Sequence, residues 1–224
     1  MVNQARRAER RGEALTRESI VAAAIELLDL EGDAGLTFRA LATKLSTGAG
    51  AIYWHVANKE ELLLAATELV VSAALSNADD AGDTTPRETV RRIAVGVFDA
   101  IDAHPWLGTQ LARAPSHSAM LSIFEAIGRA VQALDVPQAA QFTSAMTLVN
   151  YMLGVGSQNA ANARMVDAAA DRREFLSKTA AVWAALDADE YAFTRTMAAP
   201  LRDHDDRAEF LAGIDLILAG IARP

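Results

Sequence analysis

The sequence predicts an all-α chain of two bodies. Residues 1–60 form a small N-terminal three-helix unit containing a helix-turn-helix, with a basic N-terminal arm, and residues 61–224 form a larger C-terminal helical bundle. Three observations carry this. Apolar residues recur at spacings of three and four with no sustained alternation, which is the helical period. Alanine is abundant and runs of β-branched residues are scarce, which favours helix over strand. The charge is also divided: through Glu60 eight Lys/Arg balance eight Asp/Glu, so the remainder carries the net −8.

Each element follows from local signals. Thr16 is placed to cap a first helix over 16–31, with Ile20, Ala24, Leu27 and Leu28 inward and Gly32 ending it. Thr37 caps a short second helix that turns Phe38, Leu41, Ala42 and Leu45 inward. Ser46, Thr47 and Gly48 break the chain, and a third helix is expected over 49–55. Asn58 caps a long fourth helix over 59–77, with Leu62, Leu63, Ala66, Leu69, Val70 and Ala73 apolar. Residues 78–86 lack periodicity and read as a connection. Pro86 opens a helix to 103, and a short one follows Pro105 to 113. Helices are then expected over 118–134, 138–163, 171–186, 191–199 and 205–221.

With 224 residues, 51% of them apolar, the chain can bury a large core. The absence of cysteine excludes disulfides, thiolate metal sites and cysteine nucleophiles. No apolar run approaches the roughly 18 residues of a membrane span, and the arginines of residues 1–11 precede no apolar stretch. A cytoplasmic protein with no membrane partner is expected. The four histidines include no pair at metal-ligand spacing, and no hydrolase, phosphate-loop or dinucleotide motif occurs. No catalytic residue, metal or cofactor is expected, so the chain is not read as an enzyme.

Two short helices separated by a tight turn and braced on both sides make a helix-turn-helix. On the third helix Ile52 and Val56 share a buried face, while Tyr53, Trp54 and His55 fan around the others, and two turns cannot hide three rings. Tyrosine and imidazole can donate to phosphate oxygens, and the small Gly48, Ala49, Gly50 and Ala51 let the helix start approach a groove. Lys59 opposes the dipole of the fourth helix, so an anion is expected beside it. Packing of Tyr53 and Trp54 against neighbouring helices, with Lys59 merely solvated, is the alternative. The arm, Arg6, Arg7, Arg10 and Arg11, either enters a minor groove or is a solvated tail.

The run Leu36-Thr37-x-Arg39-x-Leu41-Ala42-x-Lys44-Leu45, followed by Ile52-Tyr53-Trp54-His55-Val56-x-Asn58-Lys59, resembles the DNA-binding domain of the TetR family of bacterial repressors over residues 15–64. The resemblance implies a homodimer on double-stranded operator DNA, a recognition helix in the major groove, and a C-terminal domain whose small-molecule effector releases the DNA. It assigns DNA contact to Arg39, Tyr53, Trp54, His55 and Lys59. Where members of the family carry base-reading glutamate and glutamine, this chain has Gly48 and Ala49, and Ala51 replaces a threonine. Base reading then falls on Thr47, on Ala49 or Ala51 against thymine methyls, on Arg39, or on groove shape.

In the acidic remainder, two helices are apolar on more than one face. Phe142, Met146, Val149 and Leu153 form one stripe, and Phe210, Ile214, Ile217 and Ile221 another. Both are expected in a two-fold dimer interface. Ligand-binding candidates are Phe98, Asp102, His104, Trp106, Met120, Phe124, Asn150, Gln158 and Trp183, together with Ile101 and Leu107. The segment Asp102-x-His104-Pro105-Trp106-Leu107 resembles a His-Pro turn in C-terminal domains of the family. The expected function is a ligand-responsive repressor released by a small lipophilic effector, uncharged or cationic if the acidic body is a guide. The alternative is a ligand- or protein-binding module whose helix-turn-helix binds DNA weakly.

Overall fold

The computed structural model describes residues 15–79, 84–113, 117–165 and 169–221. The basic arm lies outside them. The described residues form twelve helices and no strand. The first is α1 (Arg17–Gly35). Thr16 caps it in a capping box: the Ser19 N–H donates to the Thr16 hydroxyl at 3.1 Å, and the Ser19 hydroxyl receives the Thr16 N–H. Gly32 interrupts it at φ +69°, ψ −169°, a conformation that side chains resist. The expected stop at Gly32 is therefore a kink, and one further turn reaches Gly35.

Thr37 caps α2 (Phe38–Lys44), accepting from the Ala40 N–H at 3.1 Å. The turn that follows closes with the Thr47 N–H on the Ala42 carbonyl at 2.9 Å, and Ser46 sits at φ +53°, a left-handed helix terminator of the kind glycine usually supplies. The third helix, α3 (Ala49–Tyr53), is shorter than the 49–55 expected. Trp54 and His55 lie in the turn that delivers buried Val56 to the core. Asn58 caps α4 (Lys59–Asp79) through the Glu61 N–H at 2.8 Å.

The bundle is built around α5 (Pro86–Ala103), which packs on α4, on α6 (Trp106–Arg113), on α7 (Ser118–Ala133), on α8 (Gln138–Met165) and on α12 (Asp206–Ile221). Between α8 and α12 come α9 (Ala169–Ala184), α10 (Ala192–Thr196) and α11 (Ala198–Leu201), which pack chiefly on one another. The single helix expected over 191–199 is two. Pro200 has no N–H to give the Thr196 carbonyl, so the ladder breaks at Met197.

One continuous core runs from Ile20 on α1 to Leu218 on α12. It corrects part of the expected dimer stripe: Val149, Phe210 and Ile214 are buried inside this chain. Phe210 stacks on Phe98 with centroids 4.6 Å apart and on Tyr151 at 5.6 Å. A helix apolar all round does not reveal in sequence which face its own bundle takes. The outward faces carry Phe142, 69% exposed, and Leu216, 76% exposed, with Met146, Leu153, Ile217 and Ile221 half-buried beside them. Leu69 and Ala73 of α4, grouped by sequence with that helix's apolar face, are also exposed.

Candidate nucleic-acid interface

The candidates lie on α2, on α3 and the turns that flank it, and at the first residue of α4. Ile52 and Val56 anchor α3 from below. Tyr53 lies flat on Phe38 of α2, centroids 4.2 Å apart at 4°, so one face of its ring is packed while the residue stays exposed. Trp54 is 90% exposed, and packing within the chain does not account for it. Arg39 and Gly48 are exposed, while Thr47, Ala49, Ala51 and His55 are half-buried.

The glycines are informative. A Cβ added at Gly48 or Gly50 would meet nothing within 4 Å, and neither residue has a positive φ. Neither backbone strain nor packing inside the chain calls for glycine here. Gly48 is the N-cap of this helix, a position glycine suits, and together with Gly50 it leaves the surface at the helix start open.

The cations divide sharply. Arg17 pairs with Glu61 at 3.4 Å, Lys44 with Glu26 at 2.5 Å, and Lys59 with the Asp33 carboxylate at 2.7 Å and the Asp33 carbonyl at 2.5 Å. Among the described residues of the first sixty, Arg39 is the one cation with no carboxylate partner. The anion expected beside Lys59 is therefore present in the fold as Asp33, which occupies the ammonium in the free protein. Glu61 also accepts the Ala57 N–H at 2.9 Å. That bond and Arg17 hold its carboxyl below the usual value.

The helix-turn-helix is tied to the bundle through α1. Asp29 Oδ1 lies 2.8 Å from His104 Nδ1 and accepts the Trp106 indole N–H at 2.7 Å. One turn on, Asp33 faces Lys59 and, at 3.7 Å, Arg113 at the end of α6. The His104-Pro105-Trp106 turn, read in sequence as a pocket feature, thus also bonds to α1. Sequence could not pair Asp29 with residues 75 and 77 positions away.

The other ligand candidates are not brought together. His104 lines a cavity of about 630 Å³ between α4 and α5. Phe98 and Asp102 border a charged one of about 770 Å³, where Asp102 accepts from Asn159 at 3.0 Å. Met120 borders a third cavity and Phe124 a fourth. Asn150 and Gln158 are exposed on α8, Trp183 is half-buried on α9, and Trp106 is buried. Sequence reasoning missed Arg92, Leu69 and Leu211 at the first cavity.

Comparison with known proteins is decisive for the family. Residues 20–66 match the model for bacterial regulatory proteins of the tetR family, and residues 78–223 match the model for the tetracyclin repressor-like C-terminal domain. The chain belongs to the TetR family. A transcriptional regulator of this family from Streptomyces coelicolor, SCO7222, superposes with TM-score 0.84 at 51% identity, covering 93% of this chain and 98% of that one. BioQ solved with its natural double-stranded DNA operator superposes with TM-score 0.58 at 27% identity, covering 94% of this chain and 100% of that one. Among curated relatives, an HTH-type transcriptional regulator of Saccharopolyspora erythraea is 27% identical over 62% of this chain and 59% of its own length. The class D tetracycline repressor of Escherichia coli is 53% identical over 49 residues, 22% of each chain. The chain thus spans less than two thirds of the length of these curated relatives. ActR of Streptomyces coelicolor in complex with actinorhodin, at 21% identity and TM-score 0.74 over 92% of this chain and 95% of that one, shares the fold.

Proposed function

We propose that this TetR-family chain is a ligand-responsive transcription regulator that binds a two-fold operator as a homodimer and acts as a repressor. The observation that carries the reading is the start of α3. There, Gly48 and Gly50 leave open space, while Arg39 on α2 is exposed with no carboxylate partner among the described residues and Trp54, at the other end of α3, is exposed. The relative solved on its operator fits this assignment. Each subunit lays α3 in a major groove, with half-sites one helical turn or a multiple apart. Tyr53, held by Phe38, and His55 meet phosphates, as does Lys59 once DNA competes with Asp33. Thr47, Ala49 and Ala51 face bases.

The homodimer reading is supported by α8 and α12. From residue 138 to 163 no residue of α8 is charged, although Thr143, Thr147, Asn150 and Gly154 are exposed. On α12 the exposed Ala212, Leu216, Ala219 and Gly220 form a second uncharged stripe. Two such helices from each subunit make a four-helix interface. The effector acts by preferring a separation of reading heads that does not fit the operator, since equal affinity for both forms would shift nothing. Residues 1–60 serve as the reading head and residues 61–224 as the ligand-binding and dimerisation body.

The test is footprinting of the full chain on DNA flanking its own gene, followed by titration with salt. Protection of a two-fold site and a steep loss of affinity between about 50 and 200 mM salt are expected. Indifference to every duplex at low salt would favour the protein-binding alternative.

A further inference from the structure

The cavity of about 630 Å³ between α4 and α5 has apolar walls from Leu69, Val70, Ala73, Val95 and Leu211, with Ile25 of α1 at the end nearest the reading head. Its floor is tight. A Cβ on Gly96 would lie 2.8 Å from the Ala74 carbonyl oxygen, so α4 and α5 cross about as closely as glycine allows.

Most of its charges are satisfied. Arg91 pairs with Asp215, and Asp99 receives two bonds from Arg207 at 3.0 and 3.1 Å. Glu88 is exposed at the mouth beside Arg91. Arg92 is different. Its Nη2 donates to the Thr84 hydroxyl at 2.7 Å, but Nε and Nη1 are buried with no acceptor among the described residues. A guanidinium cannot shed its proton, and buried cationic donors without acceptors destabilise a fold. Among the described residues a neutral hydroxyl is its one side-chain acceptor. A flexible stem lets it turn towards an anion entering the cavity.

We propose that this cavity is the effector site and that it takes an amphipathic organic acid, with the carboxylate accepting from Arg92 and the apolar body lying along Leu69, Ala73 and Leu211. This rests on the ligand-responsive reading above and gives that site its ligand class. It reverses the expectation, drawn from the acidity of the whole body, of an uncharged or cationic effector. The far end of the cavity is bounded by Ile25 and His104, and His104 is the residue that holds Asp29 of the reading head. A ligand filling this end presses on the joint itself. It selects the arrangement in which α1 has moved from the His104-Pro105-Trp106 turn.

The probes are decanoate, 1-decanol and decyltrimethylammonium, titrated calorimetrically into the full-length protein below their aggregation concentrations. Decanoate is expected to bind at least tenfold tighter than the alcohol, with the cation weakest. Arg92→Met should abolish that tenfold preference and leave decanol binding unchanged, Arg92→Lys should keep part of it, and Ala73→Trp should remove binding of all three. Arg92→Met, freed of two buried donors without acceptors, should melt at or above the parent temperature. Equal binding of the three probes, a preference untouched by Arg92→Met, or a lowered melting temperature in that variant would each overturn the assignment. Footprinting in parallel separates the two readings. Decanoate bound through Arg92 by a chain that protects no DNA sinks the regulator and keeps the site, whereas protected DNA with no decanoate preference sinks the site alone.

Discussion

Asp29 accepts the indole N–H of Trp106 at 2.7 Å, joining the first helix of the reading head to the first turn of α6. Trp106 is buried, and the carboxylate is the one acceptor its N–H has among the described residues. Asp29→Ala should cost about 1–3 kcal/mol, lowering the melting temperature by about 2–4 °C per kcal/mol for a chain of this size. Trp106→Phe in the same background should restore part of the loss, because it removes the orphaned donor. If Asp29→Ala melts with the parent protein, this bond is not holding the joint.

The open space at Gly50 predicts a separation of stability from binding. Gly50 lies inside α3 with room for a side chain, and replacing a helix-interior glycine relieves roughly 0.5–1 kcal/mol of backbone entropy. Gly50→Leu should therefore melt no lower than the parent, yet lose at least tenfold in operator affinity as the added side chain holds the helix off the groove. Fluorescence anisotropy with a labelled duplex measures the second effect. Unchanged affinity would show that this helix start does not approach DNA.

Most of the helices could be read from the chain because capping is local. Thr16, Thr37 and Asn58 each bond within three residues, so the signal and its effect lie in one short window. Where α3 ends could not be read, since Trp54 and His55 fit a helical pattern and only the descent of Val56 into the core stops it. The tie of Lys59 to Asp33 spans 26 residues and that of His104 to Asp29 spans 75. Such pairs depend on how helices cross, which periodicity does not encode. For the same reason Val149, Phe210 and Ile214 fit either of two apolar faces until the bundle assigned them inward.

Arg39 should govern the salt response. It is exposed and, among the described residues, without a carboxylate partner, so its charge is free to displace a counterion from DNA. Arg39→Ala should weaken binding to all duplexes alike and reduce the slope of log affinity against log salt by about 1 per subunit engaged. Thr47→Ala should instead change the ranking of operator variants with the slope intact. A ranking altered by Arg39→Ala at constant slope would move Arg39 from phosphate contact to base reading.

Acid should loosen the reading head, and Glu61 is a specific reason. Its carboxylate accepts the Ala57 N–H and faces Arg17, and these interactions lower its pKa below the ordinary 4.5. A carboxyl whose folded pKa is depressed contributes stability above its unfolded pKa, and that contribution is lost as pH falls through the folded value. Glu18, lowered by its own backbone N–H and then by Thr16 at the start of α1, acts in the same direction. The urea midpoint of the full chain should therefore fall as pH is taken below about 4.5. Glu61→Gln keeps an acceptor for the Ala57 N–H but has no charge to lose, so its midpoint should start lower near neutrality and decline less on acidification. Parallel decline of the two proteins from pH 6 to pH 3 would assign the acid sensitivity to other carboxylates.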